Sequence, residues 1–440
     1  MLSRTRFMWL LLLLAAGLTA FRTEPVTDNP AFADSALPEN RSETLTPLPA
    51  GQPYSSPAAR GQPHVVSRLN STAMVHSASV AELDDGRLLA TWFGGSREGA
   101  KDVAIYGAYF DAASQEWSAS APLITRESTQ EALGRYIKKL GNPVVTRLDN
   151  GRLALFYVSV SVGGWASSQV NMALSDDNGV TWHSTRRLVT SPFFNLSTLV
   201  KGTPYLYSDG TIALPVYHEM AGKLGELLRI TTGGRVLSKI RLTEGREAIQ
   251  PVLLPYNEHD AIALLRDTGD DAPFSAVITE SDNSGHSWST AANTSFANPN
   301  SALAGVVLDC GRLLTVANDT SEERNRLTLL ISNDKGKSWH PILRVEDDSA
   351  NGTAPRRVAV SEFVSTLTKS MTSEGLRDDQ QALFLEAATK TLCNSAGCRY
   401  RYDYPYLIKS SDGTIHLVYT WNKAYIKHRA FSQEWLSQWI

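Results

Sequence analysis

Apolar runs of strand length recur along this chain, and each is entered through a short polar turn. Asp85-Gly86 precedes RLLATWF, Asn150-Gly151 precedes RLALFYVSV, and Asp209-Gly210 precedes TIALPVYHE. Glu258-His259-Asp260 precedes AIALLRD, Cys310-Gly311 precedes RLLTVAND, and Asp412-Gly413 precedes TIHLVYTW. Asp-Gly and Asn-Gly supply the positive φ angles of tight hairpins. The runs behind them are β-branched, aliphatic or aromatic, as strands require. Six such repeats occupy residues 66–440.

A second pattern follows the turns. Ser175, Asp177, Gly179, Thr181 and Trp182 fit S-x-D-x-G-x-T-W, and close variants end at Trp288 and Trp339. A worn copy ends at Trp117. From turn to Trp the interval is 31, 31, 28 and 28 residues in repeats one, two, four and five. Near-constant intervals predict radial repetition, with each repeat a four-stranded blade. The expected fold is an all-β, six-bladed β-propeller. The box itself reads as structural: Asp and Ser/Thr oxygens hold turn N–H groups while the Trp packs. Asp176, Asp177 and Asn178 lack the rest of a calcium loop, so no metal is expected. Turn glycines 311 and 413 lie 102 residues apart, twice the usual spacing. The excess, 351–400, reads as an insertion in the last blade, with DDQQALFLEAATKTL helical in propensity and period.

Composition narrows the function. The chain has 440 residues, 42% hydrophobic and 20% charged, with net charge −3, which excludes a disordered chain and a whole-molecule field for nucleic acid. Arg4 and Arg6 precede an apolar run from Phe7 to Phe21 that small residues close. This reads as a signal peptide over 1–20, hence an exported protein, periplasmic or secreted, held at a membrane only if the segment stays uncleaved. Residues 21–65, rich in Pro and Ser, read as a linker with little to bury. Three cysteines exclude a disulfide scaffold, although Cys393 and Cys398 are spaced for one local bridge. Asn70 and Asn195 sit in Asn-x-Ser/Thr sites.

Repeats with these boxes, together with HSASVAELDDGRLLATWFGGSREGAKDVAIY and YPYLIKSSDGTIHLVYTW, resemble the sialidase (neuraminidase) superfamily, in its bacterial branch with Asp-box repeats. The resemblance covers roughly 66–440 and implies an exo-glycosidase with a Tyr nucleophile, a Glu partner, an acidic acid/base residue and three arginines on the substrate carboxylate. Tyr404, before the last repeat's strand, matches the nucleophile. Arg266 matches the second arginine and Arg324 the third, with Arg326 as a rival. Glu98 and Asp102 occupy the acid/base loop beside Arg97, Glu98 being closer in position. Two positions depart from the family: His76 stands for the first arginine and Gln250 for the Glu partner.

A phenol suits an anomeric carbon bearing a carboxylate, where a second carboxylate is repelled, and sialidases are the known Tyr exception among glycosidases. Its reference pKa is about 10, so it needs a base or nearby cations. With Gln at 250, the candidate bases are Glu219, Glu247 and His76. Two arginines and a protonated His would hold a carboxylate with altered geometry. The expected activity is therefore retaining hydrolysis of a terminal acidic sugar, sialic acid or a relative, with an acidic glycan as partner and no cofactor. Two alternatives stand beside it: a glycan-binding propeller without catalysis, and a hydrolase or lyase of uronic-acid polysaccharide. The basic stretch Arg135–Lys139 is either a solvated face or the wall of a cleft for acidic glycan, and Trp165 is placed to stack on a sugar.

Overall fold

A computed structural model of the chain describes residues 4–22, 29–38, 53–54, 59, 63–67, 72–191, 195–220, 222–245, 247–270, 274–348 and 357–439. Asn70 and most of 21–65 lie outside the described residues. The fold is built mainly of antiparallel strands, and the six sequence repeats each form a meander. Repeat one runs Met74–Glu82, Leu88–Gly95 and Ala104–Asp111, with Glu116–Trp117 and Ala121–Ile124 on its outer edge. Repeat two is Lys139–Arg147, Leu153–Val160, Gln169–Ser175 and His183–Arg187. Repeats three and four share a nine-stranded sheet through one parallel pair, Leu224 beside Ala248. Repeat five is Ala304–Val307, Leu313–Ala317, Arg326–Ser332 and His340–Asp347. Repeat six has only three strands of its own, Tyr402–Lys409, Ile415–Trp421 and Tyr425–Phe431. Its fourth comes from the other end of the chain: Pro63–Val65 pairs with Tyr425–Phe431.

Neighbouring repeats pack through their first strands, except that repeat three meets repeat four through its second. Met74–Glu82 touches Lys139–Arg147, which touches Leu199–Val200 of repeat three. Ile212–His218 of that repeat meets Ala248–Pro255, which meets Ala304–Val307, and Tyr402–Lys409 bridges Ala304–Val307 back to Met74–Glu82. These first strands bury almost every position, because a neighbouring repeat covers each face.

Each first strand also carries, within it or just ahead of it, one non-glycine residue at positive φ. They are Ser77 (54°), Asn142 (43°), Ser197 (61°), Gln250 (54°), Asn300 (50°) and Tyr404 (51°). In repeats one, two, four and six the register skips one residue at this point, a β-bulge. Left-handed Gln and Tyr cost about 1–3 kcal/mol each and persist only where surrounding packing enforces them. The bulge turns these side chains out of the strand alternation.

The three complete Asp boxes behave as turn staples. In repeat two the Ser175 hydroxyl accepts from Gly179 N at 2.8 Å, and Asp177 accepts from Thr181 N at 2.9 Å and its hydroxyl at 2.6 Å. Repeat five reproduces this with Asp334, and in repeat four Asn283 accepts from Ser287 N at 2.8 Å but donates from its amide to the Ser287 hydroxyl at 2.7 Å. Asp176 is held by Arg152 and His183.

Residues 357–400 contribute two helices, Val360–Ser373 and Asp378–Leu392, then a hairpin closed by a Cys393–Cys398 disulfide. Phe363, Leu367, Met371 and Phe384 are fully buried in one core with strands of repeats five and six. The segment read as a linker makes local contacts too: Phe32 stacks on Tyr207 of repeat three at 5.4 Å, and Tyr54 exchanges backbone bonds with Ile342 and Arg344. Arg4–Arg22 is helical, and among the described residues no helix is long and apolar enough to cross a membrane.

Candidate active site

The left-handed residues of repeats two, four, five and six meet in one hydrogen-bond network around the Tyr404 phenol. The Gln250 amide donates from Nε2 to the Tyr404 oxygen at 3.1 Å and to the Tyr217 oxygen at 3.3 Å. Asn142 donates to the same Tyr217 oxygen at 3.0 Å. Arg266 lies opposite Ile249 in the register and donates to Gln250 Oε1 at 3.3 Å and to Asn300 Oδ1 at 2.5 Å. Arg324 donates to the Asn300 carbonyl at 2.6 Å and to Asp403 at 2.8 Å. The amide orientations at 142 and 250 follow from these partners.

Asp403, one residue before the phenol, is fully buried and gathers cations. Arg324 reaches one of its oxygens at 2.8 Å; Arg401 at 2.7 Å and Lys423 at 3.3 Å reach the other. Burial alone would raise this carboxyl, but Lys423, Arg401 and Arg324 outweigh it and hold it well below the usual carboxylate range. Lys423 comes from a left-handed turn, with Asn422 and Lys423 at φ 48° and 56°, after the strand Ile415–Trp421.

His76 is buried against the phenol, with ring centroids 4.4 Å apart and edge to face. Its Nε2 accepts from Lys423 at 2.9 Å, and Nδ1 lies 3.2 Å from the Thr420 hydroxyl. Burial, then the Lys423 charge, pushes the imidazole well below its ordinary pKa. The expectation of a protonated His76 donating to a substrate carboxylate is therefore corrected: the ring is neutral, and Lys423 carries the charge. A neutral ring also accepts no second proton readily, which weakens His76 as the phenol's base.

The other residues singled out in the sequence take distinct places. Glu219 follows the second strand of repeat three, its N–H held by Ser197, and burial raises its carboxyl pKa. Its charge and the Tyr404 phenol both act on Tyr217. Glu98 is exposed, and its charge acts on Lys139, Arg401 and Lys423. Asp102 turns inward to its own loop, accepting from Ser96 N at 2.9 Å and Ser96 Oγ at 3.0 Å. Arg97 is exposed, its carbonyl accepting from Ala100 N. Glu247 is exposed and caps Thr268 with its carbonyl. Arg326 points to Asp319, leaving Arg324 in the network. Sequence reasoning did not single out Asp403, Arg401, Lys423, Asn142, Asn300 and Tyr217. The alternation of Arg401 and Asp403 with aromatics at a strand start was the available signal for two of them.

Residues 86–417 match the model of the BNR repeat-like domain. The chain belongs to that family. Sialidase structures share its fold at low identity. A Hadza microbial sialidase superposes with TM-score 0.60 at 14% identity, over 84% of this chain and 68% of that one. An intramolecular trans-sialidase from Ruminococcus gnavus gives 0.55 at 12%, over 84% and 96%. A Dyadobacter fermentans protein of unknown function gives 0.57 at 12%, over 84% and 97%. A comparison with curated proteins returns no match. Beyond the BNR repeat-like family, these structures show a shared fold. The matched stretch includes Tyr404, Gln250, Arg266 and Arg324, whereas His76 and Lys423 lie outside it.

Proposed function

We propose that the six repeats are blades of a β-propeller and that the protein is an exported sialidase-like exo-glycosidase acting on a terminal acidic sugar. The observation that carries this reading is the network around Tyr404, which links residues from five repeats to one phenol and to the cations gathered on Asp403. One amide donor, Gln250 Nε2, is aimed at the Tyr404 oxygen that would act as the nucleophile, while Asn142 and Gln250 together donate to the neighbouring Tyr217 oxygen. A donor to an oxygen stabilises its charged form. Arg266, Arg324 and Lys423 supply positive charge for the substrate carboxylate, with Arg324 and Lys423 pre-set by Asp403.

In the proposed retaining cycle the Tyr404 oxygen attacks the anomeric carbon and the glycosidic C–O bond breaks. Glu98 gives its proton to the leaving oxygen, and Glu219, raised by burial, takes the phenol proton. A water then attacks the anomeric carbon of the glycosyl-tyrosine, Glu98 accepts the water's proton, the bond from that carbon to the Tyr404 oxygen breaks, and Glu219 returns its proton to the phenol. The amide at 250, in place of a carboxylate, favours one second reading, a propeller that binds acidic glycan without cleaving it. The signal peptide over 1–20 belongs to the same proposal, and the amino-terminal residue of exported protein checks it.

The deciding experiment is a panel of fluorogenic acidic and neutral glycosides with wild type and Tyr404→Phe. Turnover on an acidic member, lost about a thousandfold or more in the variant, is the expected result. No turnover by wild type on any member, with acidic sugar still bound, would establish the binding module instead.

A further inference from the structure

Repeat two carries a set of cations that the candidate site leaves unused. Lys139 opens its first strand opposite Val160, Gln169 opens the third opposite Ser159, and Arg187 closes the fourth opposite Asn171. Antiparallel order brings these positions to the same end of the sheet, in a row leading outward from repeat one. Arg135, just after the helix Arg126–Leu133, joins the row from above.

The polar contacts along this row are unusual. Arg135 donates to Gln169 Oε1 at 2.8 Å, and Arg187 reaches the same oxygen at 3.4 Å. Two guanidinium groups thus share one neutral acceptor. Among the described residues no carboxylate lies within ion-pair distance of Arg135, Arg187, Lys138 or Lys139. The helix ahead holds Glu127, paired with Arg126, and Glu131, and neither pairs with these cations. Burial and the charge of Arg135 both press on Arg187.

An aromatic surface lies between this pair and the candidate site. The Lys139 ammonium stands 3.9 Å from the centroid of the half-buried Trp165 indole. A Cβ on Gly141 would meet that indole at 2.6 Å, so glycine there is what lets the ring lie against the strand. On its other side Lys139 borders repeat one: its chain packs on Gly99, and the Glu98 charge acts on it. Tyr136, 55% exposed, adds a second aromatic beside Arg135.

We propose that Lys139, Trp165, Arg135 and Arg187 form a second carbohydrate-binding track, which takes the leaving-group side of a polyanionic glycan. A sugar ring packs on Trp165, and the anionic groups of the next units meet the two guanidinium groups. The direction of the track rests on the reading of Glu98 as the acid at the leaving oxygen; the track itself does not. The anionic groups are carboxylates or sulfates, which a guanidinium pair accepts alike.

Calorimetric titration of the full chain carrying Tyr404→Phe tests this without turnover. The probes are an oligogalacturonate hexamer, a heparin-derived hexasaccharide and maltohexaose. Binding of one or both charged probes, weakening with salt, and at least tenfold weaker in Arg135→Ala/Arg187→Ala and in Trp165→Ala, is the expected result. The charged probe that binds names the anion. Arg135→Lys/Arg187→Lys should restore part of the affinity, which a folding defect would not. Unchanged binding in the double Ala variant, equal binding of maltohexaose, or no binding of either charged probe overturns the track. A wild type that binds through the track yet cleaves no glycoside would sink only the proposed activity. One that cleaves while the track variants bind unchanged would sink only this inference.

Discussion

Lys201 sits directly behind the phenol, and its environment makes it the sharpest residue-scale test of the site. It is buried, donates to the Pro405 carbonyl at 2.9 Å, and stands 5.9 Å from the Tyr404 ring and 4.9 Å from that of Tyr406. Burial brings its pKa down to about 7. The unfolded chain, with a lysine near about 10.4, binds this proton more readily, so stability is lost as pH falls from there to about 7. Lys201→Met removes that linkage. Its melting temperature should exceed wild type's at and below neutral pH, by an amount worth a few kcal/mol at most, and the gap should close toward alkaline pH. A constant difference across pH would mean that the ammonium carries no penalty. The same logic explains Asp403: a buried carboxylate is tolerated because three cations converge on it.

Elements carry the next layer. The Asp boxes staple the turn before the outer strand and seat a Trp, whose indole donates to Gly285 O in repeat four and Gly336 O in repeat five, both at 3.0 Å. The inserted helices are a different kind of element, since they share the core of repeats five and six. Phe384 is fully buried and meets Tyr425 at 5.6 Å. Glu374, after the first helix, accepts from the Tyr425 hydroxyl and pairs with the buried Lys427. Phe384→Ala should therefore cost about 3–5 kcal/mol of global stability, seen in denaturant melts as a shift of the main transition. A separate early transition with the main one unmoved would show the insertion to be an independent appendage.

At the scale of the molecule, repeat six depends on a short strand from far earlier in the chain. Pro63–Val65 completes repeat six, and its His64 stacks on His428 at 5.5 Å, which stacks on His416 at 5.2 Å. His428 Nδ1 accepts from the Trp117 indole at 3.3 Å, and its Nε2 lies 3.0 Å from His416 Nδ1. Burial and the neighbouring imidazoles push His428 well below its ordinary pKa, with Arg429 adding to the effect. Burial takes His416 down to about 4 against the pull of Asp412. Both rings are neutral in the fold, while the unfolded chain protonates them near pH about 6.5, so stability falls as pH drops from there toward about 4. Protection of the Val65 and Val66 amides, measured by hydrogen exchange relative to intrinsic rates at each pH, should fall over this range, and His428→Phe should flatten the response. Equal acid sensitivity in that variant would place the weak point elsewhere.

Local backbone preferences along the chain specify its turns, strand runs and boxes. Gly86, Gly151, Gly210, Gly311 and Gly413 take positive φ at the five glycine turns read from it, and DDQQALFLEAATKTL forms the helix Asp378–Leu392. Turn chemistry, strand runs and box motifs are legible because backbone sterics and neighbouring side chains decide them within a few residues. Folding is what brings Gln250, Arg266, Arg324 and Tyr404 into one network, adds Asp403 and Lys423 to it, and keeps His76 neutral there. Those outcomes depend on through-space distances and burial between repeats, and a charge's neighbours hundreds of residues away leave no mark on its own stretch of chain. The strand at Pro63–Val65 was illegible for the same reason: three residues in a proline-rich stretch become a strand only because the open edge of repeat six is there to receive them.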